Sequence, residues 1–254
     1  MVQSINLLPF TLDGNFVPIA IPARRDVHGD WEVLDEAAIR DAGFMQTARR
    51  FKRINQALEK DGVKDTLQDK INERNKLIRQ IFDSSGYFVV NGAGGGISCA
   101  ACLPVAGNEN LVMDQTLYWK VVSPSEAWFR VGLLNSNAIT EAVRPFNPQG
   151  EFGERHLHTM PNRLVPPFDS ANETYREIGR LARALSDQAT AISDADPNIA
   201  NPEKPIAARR CRLRTKLLKL PEFAELEEHC AAVLGTTAFI DLDELLDSPD
   251  DSIE

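Results

Sequence analysis

The stretch "YFVVNGAGGGISCAACLPV", Tyr87 to Val105, constrains the fold of this chain more than any other. An apolar run rich in β-branched and aromatic residues ends in a cluster of glycines. Strands that deliver a nucleotide or S-adenosylmethionine to a backbone cradle look like this. Asp114 even falls twenty residues after Gly94, where a ribose-binding acid would stand. Such a cradle, however, needs a helix N-terminus directly after the glycines, because free N–H groups and the helix dipole hold the phosphate. Here the next residues are β-prone, few, and broken by Pro104 and Gly107. The pattern is strand, turn, strand, and the turn lacks side chains that would keep a ligand from the backbone.

Helical periodicity surrounds this unit. Leu34 to Leu58 and Val63 to Phe82 read as helices, the second with Leu67, Ile71, Leu77, Ile78 and Phe82 on one stripe. Further strand pattern runs through "LVMDQTLYWKVV" (Leu111 to Val122), and Gly107 suggests a hairpin joining it to the "ISCAACLPV" strand. "SPSEAWFRVGLLNS" opens a helix with Ser123 as N-cap, Pro124 at its first position and Glu126 closing a capping box. A short helix over Ile139 to Val143 follows, then proline-rich loops to Phe168. A Ser170–Glu173 box opens a helix carrying Tyr175, Ile178, Leu181, Leu185 and Ala189. Two short helices, Ile206 to Leu218 and Glu222 to Leu234, come after a loop. The fold class is α+β: a mixed sheet unit with a Gly-rich loop, bracketed by N-terminal helices and a C-terminal helical segment. The expected division is a mixed α/β domain over 1–170, a helical segment over 171–235, and an acidic tail over 236–254 that reads as disordered or loosely docked.

The chain has 254 residues, enough for a real core, and neither a secretory leader nor an apolar run of membrane-spanning length is legible. Four cysteines without such a leader read as reduced thiols in a cytoplasmic protein with no membrane partner. The net charge of −9 argues against a nucleic-acid partner until the last sixteen residues are set aside; they carry seven acids and no base, leaving −2 for the rest. Two basic runs stand on that background, "ARRFKR" (Ala48 to Arg53) and "ARRCRLRTKLLK" (Ala208 to Lys219), each equally readable as a solvated helix face.

Candidate chemistry is sparse. His156 and His158 would share one face of a strand, but a zinc site needs three or four ligands, and only Glu151, Glu154 and Asp169 are near. Cys99 and Cys102, three apart in a strand pattern, would point to opposite faces, so a structural role suits them better. "VPPF" (Val165 to Phe168) resembles the catalytic loop of amino-directed DNA methyltransferases. Val165 stands where that loop needs a side-chain acceptor for the target amino group, so the triplet cannot do that chemistry. Asp169 reads as a helix-opening residue, and Asn135 and Ser136 as a helix terminus.

Taken in order, "INERNKLIRQIF", "NGAGGGISCAA", "LVMDQTLYWKVV", "SEAWFRVGLLNSNAITEAVRPF", "GEFGERHLHTMP", "VPPFD" and "RRCRLRTKLL" resemble a known set. They are similar to the C-terminal target-recognition region of large bacterial N6-adenine DNA methyltransferases, found in single-chain restriction-modification enzymes, over roughly Gly29 to Gly235. The family's S-adenosylmethionine-binding domain and its Asn-Pro-Pro-Tyr loop have no counterpart in these residues. The resemblance therefore implies a DNA-recognition module with no cofactor and no methyl transfer of its own, partnered by DNA and by a separate methyltransferase catalytic subunit or domain. It implies contacts from Lys76, Arg79 and Gln80, from Gly94, Gly95, Gly96 and Ser98 in the glycine loop, and from Arg155, His156 and His158. Arginine can read guanine or a phosphate and histidine can donate to either. Two other readings stay open: a nucleotide- or metal-dependent enzyme using Gly92 to Gly96 or His156 and His158, and an acidic protein-interaction module.

Overall fold

The structure, a computed structural model, describes residues 1–19, 21–29, 31–71, 86–92, 99–108, 111–114, 116–143 and 160–235. It is α+β. The chain starts with a 3-10 turn, Ser4–Asn6, and a two-residue hairpin, β1 (Leu7–Leu8) against β2 (Thr11–Leu12). It then leaves to build a different unit, made of residues 18–83 and 109–112, and returns to the first at residue 84.

That inserted unit opens with the hairpin β3 (Ala23–Arg25) and β4 (Trp31–Val33), stapled by Arg24 to Glu32 at 2.6 Å and by Arg25 over the Trp31 ring at 5.0 Å. Asp35 then caps helix α1 (Glu36–Asp41), its carboxylate accepting from the Ala38 N–H at 2.7 Å. The single helix expected over Leu34 to Leu58 is in fact two. Gly43, at φ +86°, takes a left-handed conformation that ends α1, and α2 (Met45–Lys60) restarts after Phe44. The apolar stripe runs on past the break because both helices bury it in one small core: Leu34, Ile39, Ala48 and Phe51. Helix α3 (Leu67–Ile71) packs there too, its first N–H held by the Asn55 side chain at 2.7 Å.

The second unit is built on a three-stranded antiparallel sheet ordered β6–β5–β7: β5 (Tyr87–Gly92) central, β6 (Ala100–Pro104) and β7 (Leu117–Val122) outside it. The expected hairpin between the last two strands is not there; each pairs with β5 instead, because β5 carries the continuous buried run Phe88, Val89, Val90 that a central strand needs. The strands are antiparallel where a mixed sheet was expected, the parallel pairing among the described residues being an isolated bridge, Val2 to Met113.

Helix α4 (Pro124–Asn135) lies on this sheet and buries Ala127, Phe129, Val131, Gly132, Leu133, Leu134 and Asn135. A helix apolar on every side must be covered on every side. Its other side is covered by α7 (Glu173–Ala195), a 23-residue helix that turns Ile178, Leu181, Ala182, Leu185 and Ala189 inward. Ser123 caps α4 as expected, but Glu126 turns away to Arg130, at 2.7 Å, and does not close a box. Likewise Asn172, not Ser170, caps α7, accepting from the Tyr175 N–H at 3.3 Å. Short helices α5 (Asn137–Val143), α6 (Met160–Leu164) and α8 (Pro197–Ala200), with α9 (Ile206–Leu217) and α10 (Pro221–Leu234), complete the unit. The α4–α7 contact joins residues on both sides of the expected boundary at 170, so the compact units divide elsewhere. Among the described residues no helix is long and apolar enough to cross a membrane.

Candidate nucleic-acid interface

The ten positions implied by resemblance, Lys76, Arg79, Gln80, Gly94, Gly95, Gly96, Ser98, Arg155, His156 and His158, all lie outside the described residues, as does the tail beyond 235. What the structure does describe is the frame around the glycines. They link β5 to β6, two antiparallel neighbours, and the Gly92 N–H donates to the Cys99 carbonyl at 3.2 Å where the strands part. Among the described residues, the chain resumes at Cys99 and enters strand β6, where a phosphate cradle would need a helix N-terminus.

Of the two basic runs, the longer is largely engaged within its own unit, with Arg209 and Arg214 buried and Arg212 and Lys219 exposed. On α9, Arg209 is fully buried: it donates to Asp13 at 2.7 Å, to the Ile199 carbonyl at 2.7 Å and to the Ile5 carbonyl at 3.1 Å. Arg210 reaches the Leu7 and Ser4 carbonyls, both at 2.9 Å. Arg212 and Lys216 converge on buried Asp196, each at 2.6 Å, and hold its carboxyl well below the usual carboxylate range, Lys216 most strongly. Arg214 donates to the Asn135 carbonyl and lies over the Phe223 ring at 5.4 Å. These cations bind the chain's own carbonyls and carboxylates.

The run "GLLNS" is internal. The Asn135 side chain accepts from the Ala100 N–H at 3.2 Å and the Phe10 N–H at 3.3 Å, and donates to the Ala100 carbonyl at 2.7 Å. Ser136 Oγ donates to the Leu133 carbonyl and accepts from the Ile139 N–H, ending α4 and capping α5 together. Glu227 supplies the first two N–H groups of α5 with acceptors, at 2.6 Å from Asn137 and 3.3 Å from Ala138. Burial pushes its carboxyl up to about 7 in spite of those donors and of Arg214. Cys99 and Cys230, buried nearby, have thiols pushed up by the same loss of solvent. In this buried cluster the shifted pKa values reflect desolvation. Cys102 is raised to about 12 by burial, so it rests as a protonated thiol at neutral pH. All four cysteines are free thiols. Phe168 of "VPPF" packs against Phe129 at 5.4 Å, so this triplet belongs to the core of the second unit.

The shorter run is different. On α2, Arg49, Arg50, Lys52 and Arg53 are all exposed, with Gln46 and Gln56 among them, and these six side chains line one shallow hollow. No carboxylate among the described residues pairs with the four cations. Ala48 and Phe51, buried on the opposite side, hold the helix to its unit. Phe44 and Met45, 62% and 46% exposed, stand at the start of the same surface. The apolar side of the helix is covered by its own unit, and the exposed apolar groups on this surface are confined to Phe44 and Met45 at its head. The uncovered side offers four guanidinium or ammonium groups to a polyanion. Sequence reasoning singled out both basic runs but could not separate them. A usable signal was phase: Arg209 recurs at four-residue steps with buried Leu213 and Leu217, whereas in "ARRFKR" Arg49, Arg50 and Arg53 fall in step with neither Ala48 nor Phe51, and only Lys52 stands four residues from buried Ala48.

No protein family, no curated protein and no solved structure matches the chain.

Proposed function

We propose that this chain is a DNA-recognition module of the restriction-modification kind. It would work in the cytoplasm beside a methyltransferase catalytic subunit or domain and would transfer no methyl group itself. The observation that carries the proposal is the exposed face of α2, where four cations without carboxylate partners among the described residues stand on the uncovered side of a helix anchored by its other side. The serial order of family-like segments supports the same reading. The acidic net charge does not oppose it, since phosphate binding depends on the local face presented, and α9 shows that cations elsewhere are already engaged.

Fluorescence anisotropy on a random-sequence 20-base-pair duplex, titrated at 50 and 200 mM salt, tests the proposal with the wild type and an Arg49→Ala, Arg50→Ala, Lys52→Ala, Arg53→Ala variant. Two to four phosphate contacts from these cations correspond to a salt slope of about −1.8 to −3.6 in log–log form, or about a 10- to 100-fold loss of affinity between those concentrations. The variant is expected to lose both the binding and most of the slope. Affinity and slope unchanged in the variant would sink the proposal, as would a wild type that does not bind at 50 mM salt.

A further inference from the structure

We infer that α2 is a groove-entering helix, so that the partner is B-form duplex DNA read from its major groove. This rests on the reading above that the chain binds DNA, and adds which face of the duplex is met and which side chains do what.

The argument is the arrangement of residues around the helix. At about 100° per residue, Met45, Gln56, Arg49, Arg53 and Gln46 fall within an arc of about 100°. Phe51, buried in the core, lies diametrically opposite the middle of that arc. Arg50 and Lys52 flank the arc, about 160° apart across the exposed side. A helix that merely tracks one strand needs its cations along one flank. A helix set between two phosphate walls needs cations on both flanks, with hydrogen-bonding and apolar groups between them. The major groove, about 12 Å wide, is the groove that admits a helix, and its floor carries the full donor and acceptor code of the bases. The centre of the α2 face carries groups suited to that floor: the Gln46 and Gln56 amides for adenine, Arg49 and Arg53 for guanine. Phe44, exposed at the head of the helix, is placed for contact with a thymine methyl.

The local architecture fits. Helices α1 and α2 are joined by three residues, Ala42 to Phe44, with Gly43 left-handed between them, a connection of the length and glycine content that helix–turn–helix motifs use. In that arrangement the second helix lies in the groove. α2 is the longer and more exposed of the two, and its buried side is fixed by Ile39 of α1 and Leu67 of α3.

The roles make separable predictions. Arg50→Ala and Lys52→Ala should each lower the magnitude of the salt slope by about 1 and weaken all sequences alike. Gln46→Ala should leave the slope unchanged and reduce, by about 5- to 100-fold, the preference for whatever sequence the wild type enriches from a random duplex library. On that enriched duplex, glucosylated hydroxymethylcytosine in the major groove should abolish binding, the minor-groove ligand netropsin should not, and double-stranded RNA should bind at least tenfold more weakly, since its major groove is too deep and narrow for a helix. Binding that the four-alanine variant abolishes, yet netropsin displaces or RNA matches, would overturn the groove assignment and leave the DNA reading standing. So would a Gln46→Ala protein with unaltered preference. Absence of any DNA binding by the wild type would remove the reading beneath it and the inference together.

Discussion

At the scale of single residues, Glu227 shows how a group made for structure becomes sensitive to pH. Its carboxylate accepts from the first two amides of α5 in a fully buried place, and burial outweighs those donors, lifting its pKa from an ordinary 4.5 to about 7. The folded protein therefore holds this proton more tightly than the unfolded chain. The stability contribution is fully present below about pH 4.5, declines as pH rises, and is gone above about 7. Glu227→Gln keeps an oxygen for the Asn137 N–H but cannot titrate, so its urea midpoint should fall less than the wild type's between pH 5 and 7.5. Parallel pH profiles for the two proteins would refute this. The residue was not visible as special in the sequence, where it is one acid in "EFAELEEHC"; only the distant start of α5 gives it a task.

At the scale of elements, the crossing of α4 over α7 is set by absence of side chain. A Cβ placed on Gly132 would stand 2.6 Å from Ile178 Cγ2, 3.2 Å from the Ile178 carbonyl oxygen and 3.3 Å from Ala182 Cβ. Alanine at this position would ordinarily gain up to about 1 kcal/mol of helix propensity. Here Gly132→Ala should instead destabilise by about 1–3 kcal/mol, because Ile178 is branched and backed by its own carbonyl. Thermal unfolding decides it: a Tm equal to or above the wild type's would show that the two helices can part at no cost. Much of this level was legible. The 3.6-residue period located α4, α7, α9 and α10, and alternating or continuous apolar runs located β5 and β6. What escaped was decided by partners far away in sequence. Which strand is central depends on what covers it, and whether Arg209 faces water or Asp13 depends on a segment nearly two hundred residues earlier. Both "RRCRLR" and "ARRFKR" carry four cations and two uncharged residues, so the candidate surface on α2 could be suspected but not chosen until the carbonyls and carboxylates that occupy α9 were in place.

At the scale of the whole molecule, two units of unequal core share one chain. The inserted unit rests on small clusters, Leu34, Ile39, Ala48 and Phe51 in one and Val33 with Val112 in another, while the second unit joins α4, α7, α9, α10 and the sheet in one continuous core. Amide exchange should accordingly be fastest by orders of magnitude in α1 and α2 and slowest in α4 and in the buried half of α7. Equal protection in α2 and α4 would mean that the two units open together. The residues that close the second unit come from both ends of the described chain. Arg210 of α9 holds the carbonyls of Ser4 and Leu7, the latter 203 positions away. During synthesis, at about 5–20 residues per second, the segment Asn6 to Phe10 leaves the ribosome about 10–40 s before the helix that grips it exists. Leu7, Leu8 and Phe10, each with no exposed surface in the finished fold, pass that interval uncovered, so a nascent chain of this protein offers an apolar handle to chaperones until its arginines arrive.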